Sequence, residues 1–142
     1  MKVTVCQIDN IPKNFEKCLD NLKNYLNKNK TDLLLFPEMS FSEWLARDKK
    51  VDKKKWEKAV NDHNKIIESF SSFDSKYIIG TKPIIDKSKK FLNEAFLYEK
   101  SNNSCKSIHE KYYLPNDEGF WEETWYSKGN GIFNPFKIND VL

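Results

Sequence analysis

The segment Asp32-Leu33-Leu34-Leu35-Phe36-Pro37-Glu38 determines how the rest of the chain is interpreted. Four apolar residues follow one another in it without a polar interruption, and Pro37 ends the run. A strand with one face in water would instead alternate apolar and polar side chains. The continuous run therefore predicts a short strand that is covered on both faces, as in a sheet layered with helices.

The segments on either side of this strand predict an alternation of strands and helices. Residues 3–8 are rich in β-branched side chains and predict a first strand. A helix then opens near Pro12 and Asn14, and a second amphipathic helix is expected from about residue 54 to residue 70. The first helix carries its apolar side chains on one face, at Phe15, Cys18, Leu19, Leu22, Tyr25 and Leu26. This order of elements is typical of an α/β fold.

The second half of the chain predicts antiparallel strands. Strands are expected at residues 77–80, 91–98 and 107–113, with polar turns between them. Hairpin-like strands after a βαβα pattern predict a mixed sheet. A strand-like stretch at 132–138 follows an irregular aromatic segment, and another strand is expected to begin at Val141-Leu142. No linker divides the sequence, so residues 1–142 are expected to form a single, incomplete domain.

Charge and cysteine content narrow the possible classes of function. The net charge is only +3, and Arg47 is the only arginine, so the chain is poorly equipped for bidentate recognition of phosphates or bases. The lysine run at 49–58 could contact a polyanion, but such runs are more often solvated, and no nucleic-acid partner is expected. The three cysteines, Cys6, Cys18 and Cys105, have no CxxC spacing and predict neither a disulfide framework nor a zinc site.

The sequence has no apolar signal segment and no stretch near the ~20 apolar residues that a membrane helix needs. A cytoplasmic protein without membrane association is therefore expected. The start of the chain enters a strand pattern at once.

Three charged residues could carry chemistry, although each has an alternative explanation. Glu38 follows a buried strand, where ligand sites of open α/β sheets lie, but an acidic residue there is more often a helix start or a surface charge. Lys111 lies in the β-patterned segment 107–113, where a lysine could stabilise an oxyanion or could protect an exposed edge. Glu122 lies among aromatic residues, either partly desolvated beside a lysine or pointing to water.

Taken together, these segments resemble the nitrilase superfamily of carbon-nitrogen hydrolases. Leu34-Leu35-Phe36-Pro37-Glu38 is similar to the strand that ends in the family's Phe-Pro-Glu motif. Lys111-Tyr112-Tyr113-Leu114-Pro115 is similar to its lysine motif, and Phe120-Trp121-Glu122 with Gly129 to its second-glutamate segment. Gly80 and Asn93 also fall where family members carry such residues. The position two after the lysine is often His in the family and is Tyr113 here.

The resemblance implies a four-layer αββα sandwich and hydrolysis of a non-peptide C–N bond in a small amide, carbamoyl or nitrile compound. A cysteine thiolate would attack, Glu38 would act as general base, Lys111 would stabilise the oxyanion and Glu122 would order the lysine. No metal or organic cofactor is implied. The family also commonly assembles into homo-oligomers.

The resemblance implies one residue that this sequence does not contain. The family's nucleophilic cysteine ends the strand after the second-glutamate segment, and the chain ends at Val141-Leu142, where that strand should start. None of the three cysteines lies at the corresponding position. The chain is therefore expected to be an N-terminal part of such a hydrolase and to be inactive alone. The alternative is a non-catalytic truncated module that binds a partner chain or a small molecule.

Overall fold

The parallel half of the fold is a βαβαβ unit. The computed structural model describes residues 1–9 and 11–138, without the side chain of Pro12. Strand β1 (Val3–Val5) leads into helix α1 (Pro12–Lys28), strand β2 (Thr31–Leu35), helix α2 (Lys53–Glu68) and strand β3 (Ser75–Ile85). The central strand β2 is parallel to both neighbours, with Leu33 opposite Val3 on one side and Tyr77 on the other.

Two hairpins extend this sheet. Strand β4 (Phe91–Glu99) is antiparallel to β3, and strand β5 (Ser104–Glu110) is antiparallel to β4. The five strands lie in the order β1-β2-β3-β4-β5. A separate pair, β6 (Asn116–Asp117) and β7 (Phe120–Trp121), precedes the short helix α3 (Glu122–Trp125). Three 3₁₀ turns, Leu45–Arg47, Phe70–Ser72 and Lys100–Asn102, connect the elements.

One face of the sheet is covered by helices α1 and α2. Leu34 and Ile78 point to this face and are fully buried together with Leu26 of α1 and Phe70, just after α2. The amphipathic spacing of both helices supplies the matching apolar side chains. Helix α2 begins at the N-cap Asp52, whose side chain accepts hydrogen bonds from the Lys54 and Lys55 N–H groups.

The other face of the sheet is apolar and only partly covered. Leu33, Leu97 and Ile138 form a small buried cluster there. The Val5 side chain on the same face stays 74% exposed. An apolar cavity of about 580 Å³ opens between this face and residues 133–138. The sheet and its helices thus correspond to two of the four layers that the resemblance implies.

The α/β class and the mixed sheet are confirmed, and several element bounds are corrected. Strand β1 is shorter than the expected 3–8, whereas β3 runs on to Ile85. Strand β5 starts at Ser104, so Cys105 lies in a strand and not in a turn. The same strand ends at Glu110, before Lys111. The expected strand at 132–138 is wrong, because only Ile138 forms a β-bridge.

Two further predictions from the sequence concern the apolar face of helix α1 and the end of the chain. Tyr25 of α1 is exposed, so the apolar face of that helix is narrower than its spacing predicts. The strand expected at Val141-Leu142 lies outside the described residues. Within the described part of the chain, no helix is long and apolar enough to cross a membrane.

Candidate active site

Glu38 lies in the turn that follows β2, at the edge of the sheet. The Phe36 N–H still donates to the Ile79 carbonyl at 2.9 Å, so the strand directs the chain up to the turn. Met39 then adopts a positive φ of 47°, an unusual conformation for a side chain of this size. Its N–H donates to Thr81 Oγ1 at 2.8 Å. These contacts fix the backbone on both sides of Glu38, whose side chain remains 40% exposed.

A buried histidine holds the end of this turn. The Phe41 N–H donates to His63 Nε2 at 3.3 Å, and His63 Nδ1 lies 2.8 Å from the Ala59 carbonyl oxygen. The ring is therefore neutral, with its proton on Nδ1. Burial, the largest effect, lowers the pKa of His63 to about 4. His63 thus links helix α2 to the Glu38 turn.

Lys111 comes directly after β5, and its backbone is held from two sides. Its N–H donates to the Asn93 carbonyl at 2.9 Å, and its own carbonyl accepts from the Gly129 N–H at 3.0 Å. A β-bulge precedes it, since Ala95 pairs with His109 while Phe96 pairs with Ser107. Bulges of this kind re-aim the side chains that follow. The position of Lys111 thus depends on the bulge and is not set by simple strand alternation.

Glu122 begins helix α3 and is buried in an aromatic environment. Its side chain is only 3% exposed, and its carbonyl accepts from the Tyr126 N–H at 2.7 Å. Trp125 anchors this helix through a hydrogen bond from Nε1 to the Asp48 carbonyl at 2.6 Å. Glu122 therefore belongs to a packed helix start and is not a loop charge that points to water.

The structure brings the three charged side chains together. Lys111 Nζ lies 2.8 Å from Glu38 Oε1 and 2.7 Å from Glu122 Oε2. Asn93 joins the cluster, because its Nδ2 donates to Glu38 Oε1 at 2.5 Å. One ammonium between two carboxylates gives a site with a net negative charge. The alternative of an isolated edge lysine does not apply, since Lys111 is paired twice and is 29% exposed.

The environment sets the charges of this cluster. Burial alone lowers the pKa of Lys111, but the hydrogen bonds and charges of Glu122 and Glu38 outweigh it, and the pKa is raised overall. Burial is also the main reason that the pKa of Glu122 is raised, and the nearby lysine only partly offsets it. Lys111 thus remains a firmly charged hydrogen-bond donor.

Two polar residues at the site were given no role by the sequence. Asn93 lies inside strand β4, where asparagine is disfavoured. Apart from the family resemblance, this unusual position was the only feature of the sequence that pointed to Asn93. Tyr126 is buried with no hydrogen-bond partner for its hydroxyl among the described residues. Burial, and then the charges of Glu122 and Glu38, raise the pKa of Tyr126, so its hydroxyl stays protonated.

None of the cysteines lies in this cluster. Burial raises the pKa of the Cys6 thiol to about 11, and the thiol donates to the Leu35 carbonyl at 3.2 Å. Burial also raises the pKa of Cys105. Cys18 is half-buried on α1. Thiols with raised pKa values are poor nucleophiles at neutral pH.

The lysine run and the apolar cavity lie apart from the charged cluster. Lys53 and Lys58 pair with Glu57 and Asp62 one helical turn away, as on an ordinary solvated helix face. The cavity is lined mostly by apolar residues such as Leu33 and Ile108, with His109 and Asn134 also at its wall, and includes none of the three charged residues. The ion-paired cluster, and not this cavity, brings several charged side chains together.

Comparison with known proteins supports the resemblance seen in the motifs. The sequence profile described as carbon-nitrogen hydrolase matches residues 2–141. A comparison with curated proteins gives no match. Among solved structures, the carbon-nitrogen hydrolase from Helicobacter pylori G27 is similar at a TM-score of 0.70 and 19% identity, covering 92% of this chain and 46% of that chain.

Two other solved structures show the same fold. The NitN amidase from Nesterenkonia sp. AN1 has a TM-score of 0.60 and 16% identity, covering 92% of this chain and 50% of that one. The glutamine-dependent NAD(+) synthetase from Cytophaga hutchinsonii has a TM-score of 0.65 and 19% identity, covering 97% of this chain and 23% of that one. The chain thus spans about half the length of the hydrolase and amidase structures it resembles. Its sequence profile and its fold together place this chain in the carbon-nitrogen hydrolase family.

Proposed function

We propose that this chain supplies the acid-base and oxyanion-binding part of an amidase-type active site. The reaction is hydrolysis of a non-peptide C–N bond in a small amide, carbamoyl or nitrile compound. None of the three cysteines of this sequence lies in the charged cluster, so covalent catalysis needs a cysteine that these 142 residues do not supply, and the isolated chain does not turn over substrate. The observation that carries the proposal is the position of Lys111 Nζ, within 2.8 Å of Glu38 and 2.7 Å of Glu122.

Each residue has a role that follows from its contacts. Glu38 keeps part of its carboxylate exposed and accepts the proton of the attacking thiol, then activates the water that releases the acyl group. Lys111 has three N–H donors and donates one of them to Glu38 while it forms an ion pair with Glu122, so that donor capacity remains for the oxyanion. Glu122 is buried and holds the ammonium in place.

A relative provides a precedent for the missing nucleophile. A variant of the amidase from Nesterenkonia sp. AN1 carries covalent addition of the acetamide moiety of fluoroacetamide at its active site cysteine. In this chain, Cys6 and Cys105 have raised pKa values and lie outside the charged cluster. A cysteine from elsewhere must therefore reach the cluster for covalent catalysis.

The test compares this chain with the protein encoded by its complete reading frame. We expect ammonia release from a panel of small amides, carbamoyl compounds and nitriles by the complete protein, and none above background by the 142-residue chain. Glu38→Gln should lower kcat/KM of the complete protein by about 10²–10⁴-fold. Lys111→Met should lower it by about 10²–10³-fold. Glu123→Gln is the matched control, because Glu123 is exposed and pairs with Lys128 instead.

Two outcomes would contradict this proposal. Hydrolysis by the 142-residue chain that Glu38→Gln abolishes would show that no further cysteine is needed. Failure of the complete protein to act on any of the three substrate classes would remove the catalytic role. Fluoroacetamide labelling with peptide mass spectrometry adds a direct readout, since none of the labels should fall on Cys6, Cys18 or Cys105.

A second candidate function is favoured by the partly covered sheet face. Val5 is 74% exposed on this face, beside an apolar cavity of about 580 Å³. Exposed apolar surface of this kind marks association sites, so a non-catalytic module that binds a partner chain or forms homo-oligomers would use it. Size-exclusion chromatography with light scattering tests this function, and a stable monomer at high concentration would count against it.

A further inference from the structure

We propose that Asn93 is a positioning residue that fixes Glu38 relative to Lys111 and leaves Oε2 of Glu38 as the atom that takes up the proton. This inference rests on the proposed function, since it assigns the proton of the thiol to one oxygen. In that step the S–H bond breaks, an O–H bond forms at Oε2 and the sulfur keeps the electron pair. Asn93 itself does not touch the reacting atoms.

Asn93 contacts both charged residues from one rigid position. It lies in the interior of β4, opposite Pro83 of β3, and is only 2% exposed. Its side-chain Nδ2 donates to Glu38 Oε1 at 2.5 Å, and its backbone carbonyl accepts from the Lys111 N–H at 2.9 Å. A single residue thus relates a side chain after β2 to a backbone position after β5.

The two oxygens of Glu38 are in different environments. Oε1 accepts from Asn93 Nδ2 at 2.5 Å and from Lys111 Nζ at 2.8 Å, which fills both of its lone-pair positions. Among residues 1–9 and 11–138, no donor contacts Oε2. The Glu38 side chain is 40% exposed, so an incoming thiol can approach it. Protonation at Oε2 leaves both hydrogen bonds to Oε1 intact.

The oxygen of the Asn93 side-chain amide shows that packing alone does not explain why this position is an asparagine. Its Oδ1 is buried without a hydrogen-bond partner among the described residues. An unpaired buried acceptor is destabilising, so an apolar residue at this position would stabilise the strand more. The bond to Glu38 is therefore the feature that requires an amide here.

The test measures the pKa of Lys111 by NMR of its side chain, in the 142-residue chain. Asn93→Ala keeps the backbone bond to Lys111 but removes the donor to Glu38, so that Glu38 is no longer held against Nζ. We expect this variant to lower the pKa of Lys111 by about one unit, the low end of what an adjacent charge contributes. Glu38→Gln should have a similar effect.

The double variant shows whether Asn93 acts through Glu38. In the Glu38→Gln background, Asn93→Ala should leave the pKa of Lys111 unchanged. Equal shifts in both backgrounds, or no shift in either, would overturn the proposal. Leu92→Ala is the matched control, because Leu92 is a buried neighbour in β4. It should lower stability without moving the titration of Lys111.

A near-isosteric substitution covers the case in which Asn93→Ala fails to fold. Asn93→Asp places a second carboxylate beside Glu38 Oε1 and should raise the pKa of Lys111, opposite in sign to Asn93→Ala. An unchanged or lowered pKa would contradict the proposed contact. These titrations need no turnover, so their failure would remove the role of Asn93 alone. Absence of amide hydrolysis by the complete protein would remove the proposed function and leave the titrations as expected.

Discussion

The buried His63 makes the stability of the fold dependent on pH. It is fully buried and bridges the Phe41 N–H and the Ala59 carbonyl in its neutral form. Burial is the main cause of its lowered pKa; among the charged groups that face it, Asp62 raises this pKa and Lys82 lowers it. Protonation of the ring would remove the acceptor for Phe41 and place a charge in the core.

The size of this loss of stability follows from the difference in the pKa of His63 between the folded and the unfolded chain. The pKa of His63 is about 4 in the folded protein, against an ordinary value of 6.5 for an exposed histidine. Because the folded pKa is the lower one, the contribution of His63 is complete above pH 6.5 and is lost as the pH falls toward 4. The difference amounts to about 3 kcal/mol at most, a large part of the ~5–15 kcal/mol that stabilises a typical domain.

Urea unfolding followed by tryptophan fluorescence between pH 7.5 and pH 4 would measure this loss. His63→Leu removes the titration but leaves the Phe41 N–H unpaired, so it should be less stable than the wild type by about 1–3 kcal/mol at neutral pH. That gap should close as the pH falls. His109→Gln removes the only other histidine and serves as the control. Parallel profiles for the wild type and His63→Leu would refute the reasoning.

Substitutions at three further positions, Gly129, Asp52 and Glu122, test other contacts. In Gly129→Ala, the new Cβ would lie 2.4 Å from the Cβ of Glu110 and 2.7 Å from its carbonyl oxygen. Urea unfolding should therefore show a free energy of unfolding lower by about 1–3 kcal/mol, and an unchanged midpoint would argue against this close approach. Asp52→Ala should cost about 1 kcal/mol by thermal unfolding, whereas Asp52→Asn should keep most of the cap. Glu122→Gln should lower the pKa of Lys111 in an NMR titration, and Glu123→Gln should not; equal shifts would be inconsistent with the ion pair.

The parts of the fold that local patterns determine could be predicted from the sequence. The uninterrupted run before Glu38 places β2 inside the sheet and not at its edge, and side chains on both of its faces meet apolar neighbours. Helices α1 and α2 follow from apolar spacing in the same way. The charged residues of the site were found through the order of their motifs, because each of them alone is ambiguous.

Features that depend on distant partners could not be predicted. The alternation of side chains predicted that Lys111 lies inside a strand, but the bulge at Ile108 breaks this alternation. The bulge arises only from pairing with β4. Residues 132–138 looked strand-like but contain Pro135, and only Ile138 forms a β-bridge. The bond from Asn93 to Glu38 joins residues 55 positions apart, so no local pattern reports it.

The division of the sheet into a parallel and an antiparallel half has a consequence for assembly of the chain. Glu38 lies in the parallel unit, in the turn after β2, whereas Asn93 lies in the β4–β5 hairpin and Lys111 directly follows it. The contacts of this hairpin are local in sequence. A partly folded state that keeps this hairpin but releases β2 would retain the Asn93–Lys111 backbone bond and lose the ion pair. Formation of the Glu38–Lys111 pair is therefore a local reporter of when the two halves dock.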